Sequence, residues 1–270
     1  GSIKRLCELA PPKLGIITAI GHAHYERFKS LDTVAEAKFE LADSALANGG
    51  KAVIHENCLP FPYAKKLADE NPTKFIICGP NSEVQIGEVK QTAQGTEVSV
   101  LWNNMPHVLQ VPLHGKHHGH NAALAFAAAV ALGVAPENAV LALRTVPQIT
   151  HRLEVKPQND GTTIIDDAFN SNPAGFTAAL ETLDVLGAQG RRILITPGMA
   201  ELGEAHDEEH KKLGAVAAKY CDAAVIVMPG RIPSFIDAYN ASGGKNLVQV
   251  RNFAEASEWL AKNRKSGDVI

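Results

Sequence analysis

Arg152 in HRLEV, the acid pair Asp166 and Asp167 in IIDDAFNSNP, and the glycine turn of RRILITPGMAELG follow one another along the chain and share one kind of address. Each stretch reads as a strand or strand end, and open α/β sheets bind ligands outside the carboxyl ends of their strands. A guanidinium at Arg152 can grip a phosphate through two parallel hydrogen bonds, or form a surface ion pair with Glu154. Strand alternation predicts that only one of Asp166 and Asp167 faces the rim, where a carboxylate can accept from ribose hydroxyls. Asn170, Ser171 and Asn172 make a polar turn before Pro173, either as contacts to a substrate or as plain caps of the next helix. Gly198, Met199 and Glu201 close another strand at the same rim.

The first half of the chain carries a second set. His22 and His24 in GHAHYERFKSL follow a buried strand directly, an address for a ligand or metal contact or for simple packing. Lys38 falls in the helix after them, beside a core face predicted from Val34, Ala37, Leu41 and Ala45, where a lysine is either snorkelling to solvent or placed at a site. The run LHGKHHGHN gathers His114, His117, His118 and His120 without the cysteine or carboxylate partners that zinc favours. It reads better as a helix amino terminus beginning near His120, where Asn121 either caps the helix or meets a base or phosphate.

The elements that must position these residues alternate. Apolar β-branched runs at residues 15–20, 52–55 and 75–78 interleave with helical patterns at 33–48 and 63–69, which predicts a mostly parallel sheet. Residues 83–112 change to short alternating strands broken at Gln94-Gly95 and Asn103-Asn104, a small antiparallel meander. After Pro147 the alternation restarts with strands at 162–166, 192–196, 223–228 and 247–250 and helices at 173–186, 204–220, 232–240 and 254–263. Two α/β domains meeting near residue 150 are expected, with residues near Thr150 as the hinge.

Composition narrows the partners. The 270 residues are 45% hydrophobic with a net charge of -3 and no clustered basic face, which argues against nucleic acid and anionic membrane. No apolar run approaches a membrane span. Cys7, Cys58, Cys78 and Cys221 show no CxxC spacing and read as reduced, buried thiols of a cytoplasmic protein. The leading Gly1-Ser2 and the closing Asp268-Val269-Ile270, which looks like the start of a strand, raise the expectation of a fragment of something longer.

In this order and spacing, AIGHAHYERFKSL with EAKFELAD, GKHHGHNAALA, HRLEV, IIDDAFNSNP and PGMAELG followed by EAHDEEH resemble the Mur ligase family over essentially the whole chain. The resemblance implies residues 1–149 as the later part of a central ATPase domain with a mostly parallel sheet and a small meander. Residues 150–270 would then be a Rossmann-like C-terminal domain, truncated at its end. It implies an ATP-dependent, ADP-forming amide synthesis of peptidoglycan precursors through an acyl phosphate. IIDDAFNSNP and PGMAELG point to the branch that joins D-Ala-D-Ala to UDP-N-acetylmuramoyl-tripeptide, acting as a cytoplasmic monomer.

By motif position His24 resembles a magnesium ligand, and Lys38 the lysine whose carbamate helps hold Mg2+. Asn121 resembles an adenine contact, Arg152 the arginine that reaches the ATP phosphates, Asp167 the ribose-binding aspartate, and Asn170, Ser171 and Asn172 residues near the incoming amine. Several family features differ here: no GTNGKT-type phosphate loop is present, the HN pair reads His117-His118, and NADD reads His55-Glu56-Asn57-Cys58. Without a phosphate loop the chain alone is expected not to turn over. The alternatives are another Mur-type or folylpolyglutamate-type amino-acid ligase, or a diverged binding module without catalysis.

Overall fold

A computed structural model describes residues 2–21, 30–169 and 171–270. The chain forms two compact units. The first holds the residues up to Lys90 with Thr96–Pro112 and Lys116–Val146, and the second holds Gln91–Gly95, Leu113–Gly115 and Pro147–Ile270. Both are α/β.

In the first unit α1 (Ser2–Leu9), an element the sequence patterns did not announce, precedes β1 (Leu14–Ile17), α2 (Leu31–Ala47), β2 (Lys51–His55), α3 (Pro62–Glu70) and β3 (Phe75–Gly79). β1, β2 and β3 pair in parallel with both faces covered, which is why β2 reads as the continuous apolar run AVI and is buried from Ala52 to His55. β4 (Val84–Thr92), β5 (Gly95–Trp102) and β6 (Met105–Val111) continue the sheet in chain order, β5 and β6 antiparallel. The β5–β6 turn places Asn103 and Asn104 at φ 49° and 62°, the left-handed pair that a two-residue hairpin needs. α4 (Lys116–Ala131) and α5 (Pro136–Leu143) complete the unit.

Two helix expectations are corrected. The buried face of α2 is Val34, Ala35, Phe39, Ala42 and Ala45 rather than Val34, Ala37, Leu41 and Ala45. The helix is packed by β1, β2, α1 and α3 together, so its apolar arc turns toward Phe39. α4 starts at Lys116, directly after Gly115 at φ 108°, so Asn121 lies in the second turn, exposed, and is not a cap.

The second unit runs β7 (Glu154–Pro157), β8 (Thr163–Asp166), α6 (Pro173–Leu186), β9 (Ile193–Thr196), α7 (His206–Tyr220), β10 (Ala223–Val227), α8 (Pro233–Ala241), β11 (Leu247–Val250) and α9 (Phe253–Asn263). β9, β10 and β11 form a parallel sheet with β10 central and buried throughout, while β7 and β8 pair antiparallel. Val269 bridges in parallel to both Thr163 and Arg192, so the last residues lie as a strand between β8 and β9. Phe176, Leu180, Met199, Leu213, Ile226, Phe235 and Tyr239 fill the core under this sheet. Burial of each such side chain is worth roughly 1.5–3 kcal/mol. Among the described residues no helix is long and apolar enough to cross a membrane.

Candidate functional site

Each unit presents chemistry at the carboxyl ends of its strands. In the first, Lys38 leaves α2 half-buried and its Nζ donates to the Ala19 carbonyl at 2.7 Å, two residues beyond the end of β1. The lysine is thus held at the rim and does not run out to solvent. At the end of β2, His55 is 3% exposed, its Nδ1 accepts from the Asn57 amide at 3.1 Å, and its ring stacks on His120 at 5.0 Å. Burial, reinforced by His120, holds the His55 pKa below its usual value, so the ring is neutral and its hydrogen sits on Nε2. The next residue, Glu56, accepts from Ser82 Oγ at 2.6 Å and folds over the end of β3, where a Cβ on Gly79 would lie 2.1 Å from its carboxyl. Burial raises the Cys58 thiol to about 11, with the nearby Lys38 charge pulling the other way. His22 and His24 lie outside the described residues.

The second rim is ionic. Asp166, last in β8, accepts from Lys156 Nζ at 2.7 Å, pairs with His151 Nδ1 at 2.8 Å, and accepts from the Ala168 amide at 3.2 Å. Burial acts to raise its pKa, but these donors outweigh it and bring the carboxyl below the usual value. Asp167 accepts from the Leu153 amide at 3.1 Å. Burial shifts it the other way, above the usual value, against that hydrogen bond and the Arg152 charge. Arg152 does not pair with Glu154, which is taken by Lys156 and the His151 amide. Its guanidinium lies 4.5 Å over the Phe169 ring, exposed at the surface. HRL is therefore not strand: His151 and Leu153 adopt φ 59° and 48°, and β7 begins only at Glu154.

A cavity of about 590 Å³ opens beside these groups, floored by Ile165, Phe176, Leu180 and Ile193 and edged by Asp166, Asp167, Ser171, Thr196 and Arg231. Both aspartates line it, contrary to the alternation argument, because β8 ends at Asp166 and Asp167 has left the pleat. Asn172 is the cap of α6, its Oδ1 accepting from Gly175 N at 2.9 Å, while Ser171 reaches the cavity; Asn170 lies outside the described residues. The opposite wall is the turn after β9. Gly198, at φ 81°, approaches His210 so closely that a Cβ would sit 2.7 Å from its Nε2, and that nitrogen accepts from the Met199 amide at 2.9 Å. His210 is fully buried, its Nδ1 is bonded to the His206 carbonyl, and burial lowers its pKa.

Lys156 and His210 were missed in the sequence. Lys156 could have been found, since the period of two places Glu154 and Lys156 on one face of β7. His210 carries no such signal, because its partners come from a distant turn. Among the described residues one trio of metal-type donors, His151, Glu154 and Asp166, has its ligand atoms within 4.8 Å of one another, and Lys156 already occupies it.

Both units are α/β folds with polar side chains gathered at the carboxyl ends of their strands, the architecture of the two domains of a Mur ligase. Residues 1–129 match the Mur ligase middle domain and residues 151–270 the Mur ligase glutamate ligase domain. The chain belongs to the Mur ligase family. It is 30% identical over 273 residues to the UDP-N-acetylmuramoyl-tripeptide--D-alanyl-D-alanine ligase of Bacillus subtilis (strain 168), covering 100% of this chain and 58% of the relative. Superposition on MurF from Acinetobacter baumannii gives a TM-score of 0.80 at 25% identity, over 96% of this chain and 55% of that one. The MurF ligase from Thermotoga maritima, solved in complex with ADP, shares the fold with a TM-score of 0.76 at 22% identity, over 100% and 60% of the two chains. The chain thus spans a little over half the length of these relatives.

Proposed function

We propose that this chain is the nucleotide-handling and amine-handling part of an ATP-dependent ligase that joins D-Ala-D-Ala to UDP-N-acetylmuramoyl-tripeptide. The observation that carries the reading is the second rim, where Asp167 and Ser171 line one cavity and Arg152 lies over Phe169, another residue of its lining. A carboxylate oxygen of the tripeptide attacks the γ-phosphorus of ATP and ADP leaves. The amine of D-Ala-D-Ala attacks the resulting acyl carbon, gives up a proton, and phosphate departs as the C–O bond breaks. Such chemistry rests on positioning and on neutralising charge.

In this reading Arg152, whose guanidinium carbon lies 4.5 Å over the Phe169 ring, contributes a cation that can grip the phosphates through two hydrogen bonds. Asp167 spends one oxygen on Leu153 and keeps the other for a ribose hydroxyl. Asn121, exposed in the second turn of α4, is the adenine contact. Ser171, with Asn170, borders the amine, while Asn172 serves chiefly by fixing the start of α6.

Mg2+ is the ion this reading calls for, with Lys38 as its oxygen donor once carbamylated; His24 lies outside the described residues. Carbamylation would turn the rim-held Lys38 into an oxygen anion of the hard type that this ion prefers, with His24 as its partner. Bound magnesium supplies charge neutralisation at the phosphates. Four buried free cysteines support a reducing compartment such as the cytoplasm, and the reading takes the ligase to be a monomer.

The test is phosphate release by the protein joined to its native upstream sequence, given ATP, the tripeptide nucleotide and one amine at a time: D-Ala-D-Ala, L-alanine, glutamate or a diamino acid. Release is expected with D-Ala-D-Ala alone. Equal release with another amine would overturn the substrate assignment, and no release with any amine would favour a binding module.

A further inference from the structure

The turn 151–153 is tied to the segment 166–169 at every residue. His151 pairs with Asp166 through its ring and accepts from the Phe169 amide through its carbonyl at 3.2 Å, the Leu153 amide donates to Asp167, and Arg152 lies over Phe169. Two of the three residues, His151 and Leu153, hold left-handed backbone that non-glycine residues avoid, so something must over-determine the conformation. The side-chain ties that fasten His151 meet at one carboxylate. Asp166 Oδ2 receives both His151 Nδ1 and Lys156 Nζ, and Lys156 reaches on to Glu154, whose Oε2 receives the His151 amide. His151, Glu154, Lys156 and Asp166 thus close a ring of charge around the base of the turn. Asp166 is about 18% exposed and Glu154 about 20%, against 51% for His151, so the anions are the sheltered members and the turn is fastened onto them.

We propose that Asp166 is a positioning residue: with Lys156 and Glu154 it holds His151, and with it the turn 151–153, in place and so aims Arg152 across the Phe169 ring. The inference deepens the reading of Arg152 as the phosphate contact and rests on it. It separates the two adjacent aspartates by task. Asp167 contacts ligand, whereas Asp166 spends its oxygens on protein donors and acts through Arg152.

Two measurements test this. The first is a double-mutant cycle in the full ligase. Asp166→Ala is expected to raise the ATP KM on the order of tenfold, and to add nothing in an Arg152→Ala background, because residues acting through one another are non-additive. An equal loss in both backgrounds would overturn the proposal. The second needs no turnover. In the 270-residue chain the Arg152 Nε–H resonance is expected to carry a ring-current shift that disappears in Phe169→Ala. It should disappear also in Asp166→Ala and return in part in Asp166→Asn, which keeps one acceptor. Where Asp166→Ala loses its fold, judged by the Trp259 indole signal, Lys156→Met gives the same readout. An unmoved Arg152 resonance in a folded variant sinks the proposal whatever the kinetics show. If Arg152→Ala itself leaves the ATP KM unchanged, the phosphate reading has failed, and the resonance alone then decides whether Asp166 aims Arg152.

Discussion

The two rims hold their functional groups by different physics. In the first unit Lys38 rests on one backbone carbonyl near the buried Cys58 thiol, and His55, at the end of β2, stacks on His120. In the second, Arg152 belongs to a turn fastened by Asp166, Lys156, His151 and Glu154. A group held by a single hydrogen bond to backbone can change its chemistry without breaking a network, which suits the carbamylation proposed for Lys38. A group aimed by an ionic ring is preorganised and tolerates little change. The difference is sharpest in kinetics. Lys38→Ala in the full ligase is expected to lower kcat on the order of 10³-fold, about 4 kcal/mol, as for loss of a principal electrostatic group. Lys38→Arg should not rescue it, because a guanidinium does not form the carbamate. Arg152→Ala should cost about 10²-fold, mostly through ATP KM, with partial recovery in Arg152→Lys. Full activity in Lys38→Arg would break the comparison at its first term.

A smaller effect separates the units by stability. His210 ties the wall of the second cavity to α7, accepting from Met199 and bonded to the His206 carbonyl with no exposure to solvent. His210→Leu leaves the buried Met199 amide without its acceptor, a cost of roughly 1–3 kcal/mol. The chain's two tryptophans, Trp102 in β5 and Trp259 in α9, report on different units. Urea unfolding of single-tryptophan variants should show the Trp259 transition moving to lower denaturant while that of Trp102 stays in place. Equal movement of both would mean that the units unfold as one.

Much of the scaffold was legible because local signals agreed with tertiary packing. α6 begins at Pro173 and ends at Leu186 as read, since proline at the first position and Asn172 before it leave little choice. The Asn103-Asn104 hairpin was equally plain. The start of α4 was not: it lies at Lys116, four residues before the expected His120. Gly119 is in fact helical and buried against the meander, where a Cβ would come within 2.6 Å of Val89. At the site, the residue types were legible and their division of labour was not. Asp166 and Asp167 are adjacent and identical in type. Only the end of β8 between them, and the lysine two residues into β7, decide that Asp166 is engaged by side-chain donors while Asp167 accepts from one backbone amide.

The last comparison concerns acid. His55, His117 and His120 in the first unit, and His114 and His210 in the second, all have pKa values lowered chiefly by burial. An unfolded chain protonates these rings below about pH 6.5 while the native one does not, so stability falls as pH drops from there toward the folded values. Among the described residues three such rings lie in the first unit and two in the second, so the early loss is expected to weigh more on the first. Asp166, Asp222 and Asp268 in the second unit are lowered instead, held by Lys156, Arg192 and Arg191 against the cost of burial. Their contribution is intact above about pH 3.8 and is lost as pH falls through their lower folded values. Asp167, raised by burial, offsets a part of this as it takes up its proton early. Denaturant midpoints followed at Trp102 and Trp259 from pH 7.5 down to 3 should therefore diverge. The Trp102 midpoint is expected to fall first, just below pH 6.5, and the Trp259 midpoint to show a second fall below pH 4. Parallel curves would mean that the neutral and ionic rims do not set the acid response of their units.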